Sequence, residues 1–592
     1  MKRDFRERKG QALIMVTLAS FALCGVMGLA VDLGWSQFVR KSAQTAADAA
    51  AMAAAHAALV DIGQGSLPAC GVNVACQDPA PCATPVSNPP QTALDHGCLY
   101  AQQNGFQVNG VSGRQNVMVA GGTTSPPPTV PGVASDYWVT ATVSEVVPQL
   151  FASLMSRNGM VAARATAAIV QMSIYGSLIL LNHEQDCLPM ESPTKNTCGV
   201  NLLVSANDNQ GQYALKADGG IYLGSQKDGR SSDGRYAGEN TGGGTIRAPF
   251  TYIRGSGSYK LSGSSTWSQT PTNGALNNYF DDPMAGKGQP KAPAGLTDRP
   301  VSGGTIVGSS DPANPRLMPA GNYFATATDS NGVAYATGDP LDISGYVRFG
   351  GDASGFSSFV FFGGVRISHQ GTTVTFEPGM YVVAGVKSGA LFSMTSNASL
   401  TDLTTGTGQN TDAGEIFIFT DTNYRGQGQA LQIPTLVQPI ASQLKQGTVG
   451  FQAGNNSSAA INLHGLNNGS PALPPQLKAF APVLMWQDQA NSVLKYDDNG
   501  YIDTSCGNPD GCPNTALASA QSAQLILQGA PTVNYYGTVY QPRGAWTTVI
   551  GGGDYNVPVQ LIAGAMRIQG NASFSMIQPV GPISRRMVAL VE

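Results

Sequence analysis

Residues 28–55 read GLAVDLGWSQFVRKSAQTAADAAAMAAA. The stretch begins apolar and meets its first charge at Asp32, yet its helical pattern does not stop there. From Trp35 the apolar residues fall at Trp35, Phe38, Val39, Ala43, Ala46, Ala50 and Ala53, close to a 3.6-residue period, with Arg40, Lys41, Gln44 and Asp48 between them. The alanine-rich run favours helix and keeps its surface narrow. Upstream, residues 12–31 carry no charge and are about as long as a helix that crosses the hydrocarbon core. One helix from about residue 12 to about residue 59 follows: its first half suits lipid, and its second half needs a protein surface. Gly25 and Gly28 would allow close helix packing within the first half.

The tail MKRDFRERKG holds five Lys/Arg and two acids, which favours a cytoplasmic N-terminus. A cleaved secretory signal would be shorter and followed by a small-residue site. The rest of the chain then lies beyond the membrane, in the periplasm or outside the cell, and the cysteines agree. Of nine, Cys24 lies in the apolar segment. The other eight cluster as Cys70, Cys76, Cys82 and Cys98, then Cys187 and Cys198, then Cys506 and Cys512. Close pairs among Pro, Gly and Asn suit disulfide-closed loops of an oxidising compartment. Pairs Cys187–Cys198 and Cys506–Cys512 are expected; connectivity within 70–98 stays open. Zinc is the competing reading, without a CxxC pair to support it.

Charged residues make up 12% of the 592, about half the usual share. Gly (72) and Pro (37) are plentiful, as in an exported, turn-rich β protein. The net charge is −4, and no basic tract follows the first ten residues, so nucleic acid is not an expected partner.

The run RKGQALIMVTLASFALCGVMGLAVDLGWSQFVRKSAQTAADAAAMAAA resembles the N-terminal domain of TadG-like proteins of the Tad (tight adherence, Flp pilus) assembly system. The basic-Gly start, Gly28-Leu29-Ala30-Val31-Asp32, Trp35 and Ala46-Ala47-Asp48-Ala49-Ala50-Ala51 carry the likeness. It implies a single-pass inner-membrane protein whose partners are Tad/Flp assembly proteins of the membrane and envelope, and it leaves homo-oligomerisation open. Type IV prepilins are cut after a Gly and carry Glu five residues on. Here the fifth residue after Gly10 is Met15, so an uncleaved anchor is expected. Many TadG-like proteins hold a von Willebrand A domain, whose metal motif D-x-S-x-S is only approached at Asp342, Asp352 and Asp503.

Downstream, 98–108 reads as a short helix ending at Asn104-Gly105, 136–146 as a strand, 149–159 as a helix and 160–172 as a strand. This order also resembles TadE/TadG-like pilin-related domains. The expected division is a tail (1–10), a transmembrane helix (11–33), a pilin-like α+β domain (34–173) with a Cys-rich insertion (61–97), and a β-rich region (174–592). In that region strands recur between Gly/Asn/Ser turns. LILQG (525–529), TVIGG (548–552) and MRIQG (566–570) are spaced like rungs of a parallel β-helix. A β-sandwich is the alternative. Residues 225–300 and 425–445 read as excursions, the latter with a short helix. GTVYQPRGAWTTVIGGGDYNVPVQLIAGAMRIQGNASFSM is similar to the C-terminal region of Tad-associated proteins with β-solenoid ectodomains.

No G-x-S-x-G, H-E-x-x-H or P-loop occurs, and the five histidines are scattered. YDDNGYID offers Asp497, Asn499 and Asp503 as Ca²⁺ ligands, but the twelfth position of an EF-hand loop would be Asn508. The expectation is therefore no cofactor, with calcium the one candidate. Asp281–Asp282 and Asp497–Asp498 are the acid pairs to test for a glycosidase. A non-catalytic assembly component is expected, with a glycan- or cell-binding surface adhesin and a β-helix carbohydrate-active enzyme as alternatives.

Overall fold

The computed structural model describes most of residues 8–591; the longer stretches outside the description are 63–67, 150–158, 183–186, 189–196, 208–212, 230–234, 274–281, 404–411, 453–459, 489–524, 542–545 and 578–583. The fold is mainly β, with one long N-terminal helix and a large domain of parallel sheets. It forms two compact units. The first comprises Met1–Met172 with Ser584–Glu592, the second Ser173–Ile583.

In the first unit, α1 (Arg8–Ile62) is 55 residues long, or about 82 Å. It packs on α2 (Ala93–Gln103), on a sheet built from β1 (Gln77–Pro81), β2 (Gln115–Gly122), β3 (Tyr137–Val147) and β4 (Gly159–Ser173), and on the C-terminal strand Ser584–Leu590, which closes the sheet beyond β4. Alanines decide the contact. Ala43, Ala46, Ala47, Ala50, Ala51, Ala54, Ala55 and Ala58 are all fully buried, one stripe of a 3.6-residue helix. Without long side chains the helix lies close to its neighbours. At the α1–α2 crossing, a Cβ on Gly97 would sit 3.0 Å from the Ala50 carbonyl oxygen and 3.2 Å from Ala54 Cβ. Gly97→Val is therefore expected to destabilise this unit by about 1–3 kcal/mol, measured as the denaturation midpoint; an unchanged midpoint would contradict the packing. Helix α2 starts earlier than its sequence pattern implies because Thr92 and Asp95 form a capping box; it ends at Asn104. The helix expected at 149–159 falls almost wholly outside the described residues.

The C-terminal strand belongs to this sheet and not to the β-rich region, where its sequence placed it. Arg586, 6% exposed, donates from Nε to Asp136 Oδ2 at 2.5 Å, and Val591 N donates to the Thr166 carbonyl at 2.9 Å. The second unit is thus an insertion between β4 and the last strand.

That unit is a parallel, β-helix-like coil; its strands pair in parallel from rung to rung, which rules out the sandwich reading. Three strands make a tight rung, as in Ser357–Phe362, Val365–Ile367 and Thr373–Phe376, before the chain returns to the first face at Gly379–Ala384. Gly363 and Gly364 turn the corner with φ of 95° and 93°, where a Cβ would strike the carbonyls of Asp339 and Leu391 at 2.5 and 2.7 Å. In-register stacking brings like residues together: Phe359, Tyr381 and Phe417 form a ladder with ring centroids 5.0 and 5.2 Å apart. Near the C-terminus the register is Leu525–Thr547–Met566, one residue away from the Thr548 alignment that the motif likeness implies.

The winding order is not sequential. Along the first face, one column of paired residues runs Phe359, Tyr381, Phe417, Met485, Val539, Leu561, and continues without a break into Leu178, Ile221 and Thr251. The last rung therefore stacks on the first, and 178–273 extends the coil beyond 563. Residues 225–273, expected as an excursion, supply rungs of this extension. The chain must then return from Asn273 to the opposite end at Asp298. Described residues of the return trace that path over the outer face. Asp282 accepts from Tyr540 OH (2.6 Å), the Pro290 carbonyl from Tyr424 OH (2.5 Å), Gly295 N donates to Gln432 Oε1 (2.9 Å), and the Thr297 carbonyl accepts from Asn322 N (2.9 Å). Met284 and Ala292, with Leu431, Val437, Leu473 and Phe480 from two further excursions, bury that outer face. The first face is apolar on both sides for this reason. Residues 438–443 form a 3₁₀ turn with Pro439 in its first turn, in place of the helix expected there. At the far end, Pro300 sits in the edge strand Asp298–Ser302, where a residue without an N–H is tolerated.

Candidate functional site: the stalk helix and a buried corner

Among the described residues, the apolar side chains in the first half of α1 are left mostly bare of protein. Over its most apolar 18-residue window only 6% is buried, and Leu13, Ile14, Val16, Leu18, Phe21, Leu23, Leu29 and Leu33 are each more than half exposed. Burying each such side chain is worth about 1.5–3 kcal/mol. A lipid core supplies that burial along a helix of sufficient length. Trp35 and Phe38 follow, exposed and stacked at 5.5 Å, as aromatic residues are placed at a membrane surface. Gly28, Asp32 and Val39 are the buried positions in this stretch, so Asp32 (5% exposed) lies on a packed face; its carbonyl accepts from Ser36 Oγ at 2.9 Å. At Gly25 a Cβ would meet nothing within 4 Å. Cys24 is exposed and unbridged.

This is the architecture of a membrane-anchored protein with an apolar N-terminal helix. Residues 10–58 match the family model described as "Putative Flp pilus-assembly TadE/G-like", and the match ends within α1. The chain therefore carries a TadE/G-like segment along this helix. No curated protein and no solved structure matches it.

The cysteines within 70–98 pair as Cys70–Cys76 and Cys82–Cys98, the second joining the segment after β1 to α2. Backbone pairing sets Cys187 opposite Cys198 in a short antiparallel hairpin. Cys506 and Cys512, like Asp497, Asn499 and Asp503, lie outside the described residues. If both remaining pairs form, denatured protein purified without reductant titrates one thiol, Cys24, of its nine cysteines; reactive thiols at Cys187, Cys198, Cys506 or Cys512 would contradict the pairing. Asp282 serves the return segment, accepting from Met284 N as well as from Tyr540. Its neighbour Asp281 is outside the described residues. Asp352 caps a turn by accepting from Ser354 N, and Asp342 accepts from Ser368 Oγ.

One polar cluster has no counterpart among the sequence candidates. At a corner of the coil His464 pairs with Asp402, stacks on Tyr536 at 4.2 Å, and donates its backbone N–H to Glu415 Oε2 at 3.2 Å. His464 lies 49 positions from Glu415 and 62 from Asp402 along the chain, and the three meet only because rungs stack. Burial, followed by the nearby Asp402 charge, holds the Glu415 carboxyl well above the usual range; Asp412 adds to this, and the His464 N–H opposes it. A carboxyl with a raised folded pKa contributes stability that is fully present below its unfolded pKa of about 4.3 and is lost as pH rises through the folded value, at about 1.4 kcal/mol per unit. The coil's melting midpoint is therefore expected to fall on raising pH from acid to neutral and beyond. Glu415→Gln, which keeps the acceptor for His464, is expected to flatten that fall and to melt above wild type at alkaline pH. Parallel pH profiles for the two proteins would contradict a neutral Glu415.

Proposed function

We propose that this protein is a non-catalytic structural component of a Tad-type (Flp) pilus or a related secretion apparatus, held in the inner membrane by α1 with its N-terminus cytoplasmic. Both folded units lie beyond the membrane, and the β-rich coil works by contact with other envelope proteins of the system. The observation that carries this reading is the coincidence of the TadE/G-like match with a helix whose first half leaves its large apolar side chains exposed and whose second half is packed. The basic tail and the disulfides at 70–98 favour the stated orientation. Benzoylphenylalanine placed at exposed Leu29 or Phe38 tests it in cells. Photo-adducts with membrane proteins of the Tad apparatus support the assignment; adducts with none of them contradict it.

A further inference from the structure

The last rungs of the coil leave an open corner between two of its sheets. Strands Leu215–Ala217, Thr245–Arg247 and Thr266–Trp267 run up to the corner, and Ile221–Leu223 and Thr251–Ile253 leave it. A pocket of about 520 Å³ lies there, walled by Tyr213, Asp218, Arg247, Pro249, Ser268 and Gln269. That volume suits a small organic ligand.

The charges in the pocket are unevenly matched. Lys216 and Arg247 are neighbours in register on adjacent strands. Lys216 Nζ is 3.1 Å from Asp218 Oδ1, so the pocket's carboxylate already has a cation. Arg247 has none among the described residues: Tyr213 OH accepts from its Nη1 at 2.8 Å, and the Tyr213 ring lies 5.0 Å from its Cζ. A tyrosine thus fixes an exposed guanidinium without neutralising it, and less freedom remains to be lost when an anion arrives.

From the pocket's edge at Pro249 the chain leads directly into an aromatic cluster. Immediately after Pro249, Phe250 lies over Gly220, where a Cβ would come within 2.3 Å of its ring. Phe250 stacks on Tyr252 at 4.9 Å, and Tyr222, in register with Tyr252, meets both rings at 5.5–5.7 Å. All three rings face outward and are only partly buried, because inward positions belong to Ile221, Leu223 and Ile253. Flat apolar ring faces next to a few fixed polar groups fit a pyranose, whose C–H face is apolar and whose rim is hydroxylated.

We propose that this corner binds an acidic saccharide, with Arg247 taking the sugar carboxylate in a two-point ion pair and the Phe250–Tyr252 face stacking on the pyranose ring. The site is independent of the anchoring function above.

Calorimetric titration of the full-length protein in detergent tests it, with tetragalacturonate as probe and maltotetraose as the neutral control. Tetragalacturonate is expected to bind saturably, more weakly as salt is raised, and maltotetraose not to saturate. Arg247→Gln is expected to weaken tetragalacturonate about tenfold or more and to remove the salt dependence. Arg247→Lys, which keeps the charge but not the fork, falls between. Phe250→Ala weakens binding while leaving the salt dependence in place. Arg247 is exposed, so an unchanged melting midpoint certifies the fold of its variants. No saturable binding of tetragalacturonate, equal binding of maltotetraose, or unaltered affinity in Arg247→Gln would each overturn the proposal.

Discussion

Truncation after Ile583 is expected to unfold the N-terminal unit while the coil stays intact. The missing strand, Ser584–Leu590, closes the five-stranded sheet beyond β4 and packs against α1. Its loss bares the edge of β4 and removes Val588 from the alanine-rich core. It also strips Asp136 of the buried Arg586 guanidinium. Removing one member of a buried pair alone costs about 3–5 kcal/mol, a large part of the 5–15 kcal/mol by which a domain is stable. Limited proteolysis is the readout. The truncated protein should lose protection in 68–172 and keep a resistant fragment from the coil. Arg586→Ala should fall between truncation and wild type. Unchanged protection of 68–172 in the truncated protein would show that the strand is not part of that unit.

Shortening the return connection is expected to prevent the coil from closing. Among the described residues, twelve strands stack on the first face, from Asp298–Ser302 through Val559–Ala563 to Leu178–Leu180 and on to Thr272–Asn273. At about 4.8 Å per strand the stack is about 53 Å tall. The connection 274–297 spans it with a reach of about 80 Å when extended. Deleting 274–285 leaves a reach of about 45 Å, which is too short. The deleted protein should lose its cooperative melting transition. Replacing 274–281 with an equal length of Gly and Ser, outside the stapling contacts of Asp282 and Pro290, should preserve it. A native-like transition in the deleted protein would mean that 178–273 does not stack on the last rung.

Permuted winding explains how a β-helix-like coil can be an insertion at all. A coil wound in simple sequence order has its ends at opposite poles. Here the first and last rungs are neighbours, with Leu178 paired to Leu561, Leu202 to Met566 and Leu215 to Phe574. Entry and exit are therefore close, as a chain that leaves β4 and returns to the same sheet requires.

The stalk helix was legible because its signals are local: twenty uncharged residues, then alanines at helical spacing. Strands β3 and β4 were legible from alternation and length. Parallel coiling was legible from short apolar runs between glycine turns. Winding order was not, because the spacing of runs shows that rungs stack but not which rung meets which. The Leu525–Thr547 register was hidden for a related reason: TTVI and LILQ are apolar enough to fit either alignment, although a one-residue slip reverses every side chain. On the first face, Phe324, Val360 and Phe362 are buried outside the coil as firmly as Phe359 and Phe361 are inside it, so no alternation marks the inner side. The strand SRRMVAL carries nothing that assigns it to a sheet more than 400 residues upstream, since the pairing of Arg586 with Asp136 is purely tertiary. Asp402, Glu415 and His464 are likewise joined only by rung stacking. Their one local sign is a Glu heading the otherwise apolar strand EIFIFT.

The most direct measurement is intact mass and membrane fractionation of the protein from its native envelope, with protease added from each side. A full-length species in the inner membrane is expected, with Leu13–Leu33 embedded and the C-terminal strand reachable only from outside the cytoplasm. A species shortened at Gly10, or one recovered from sheared surface filaments, would contradict it and make the protein a processed, pilin-like subunit.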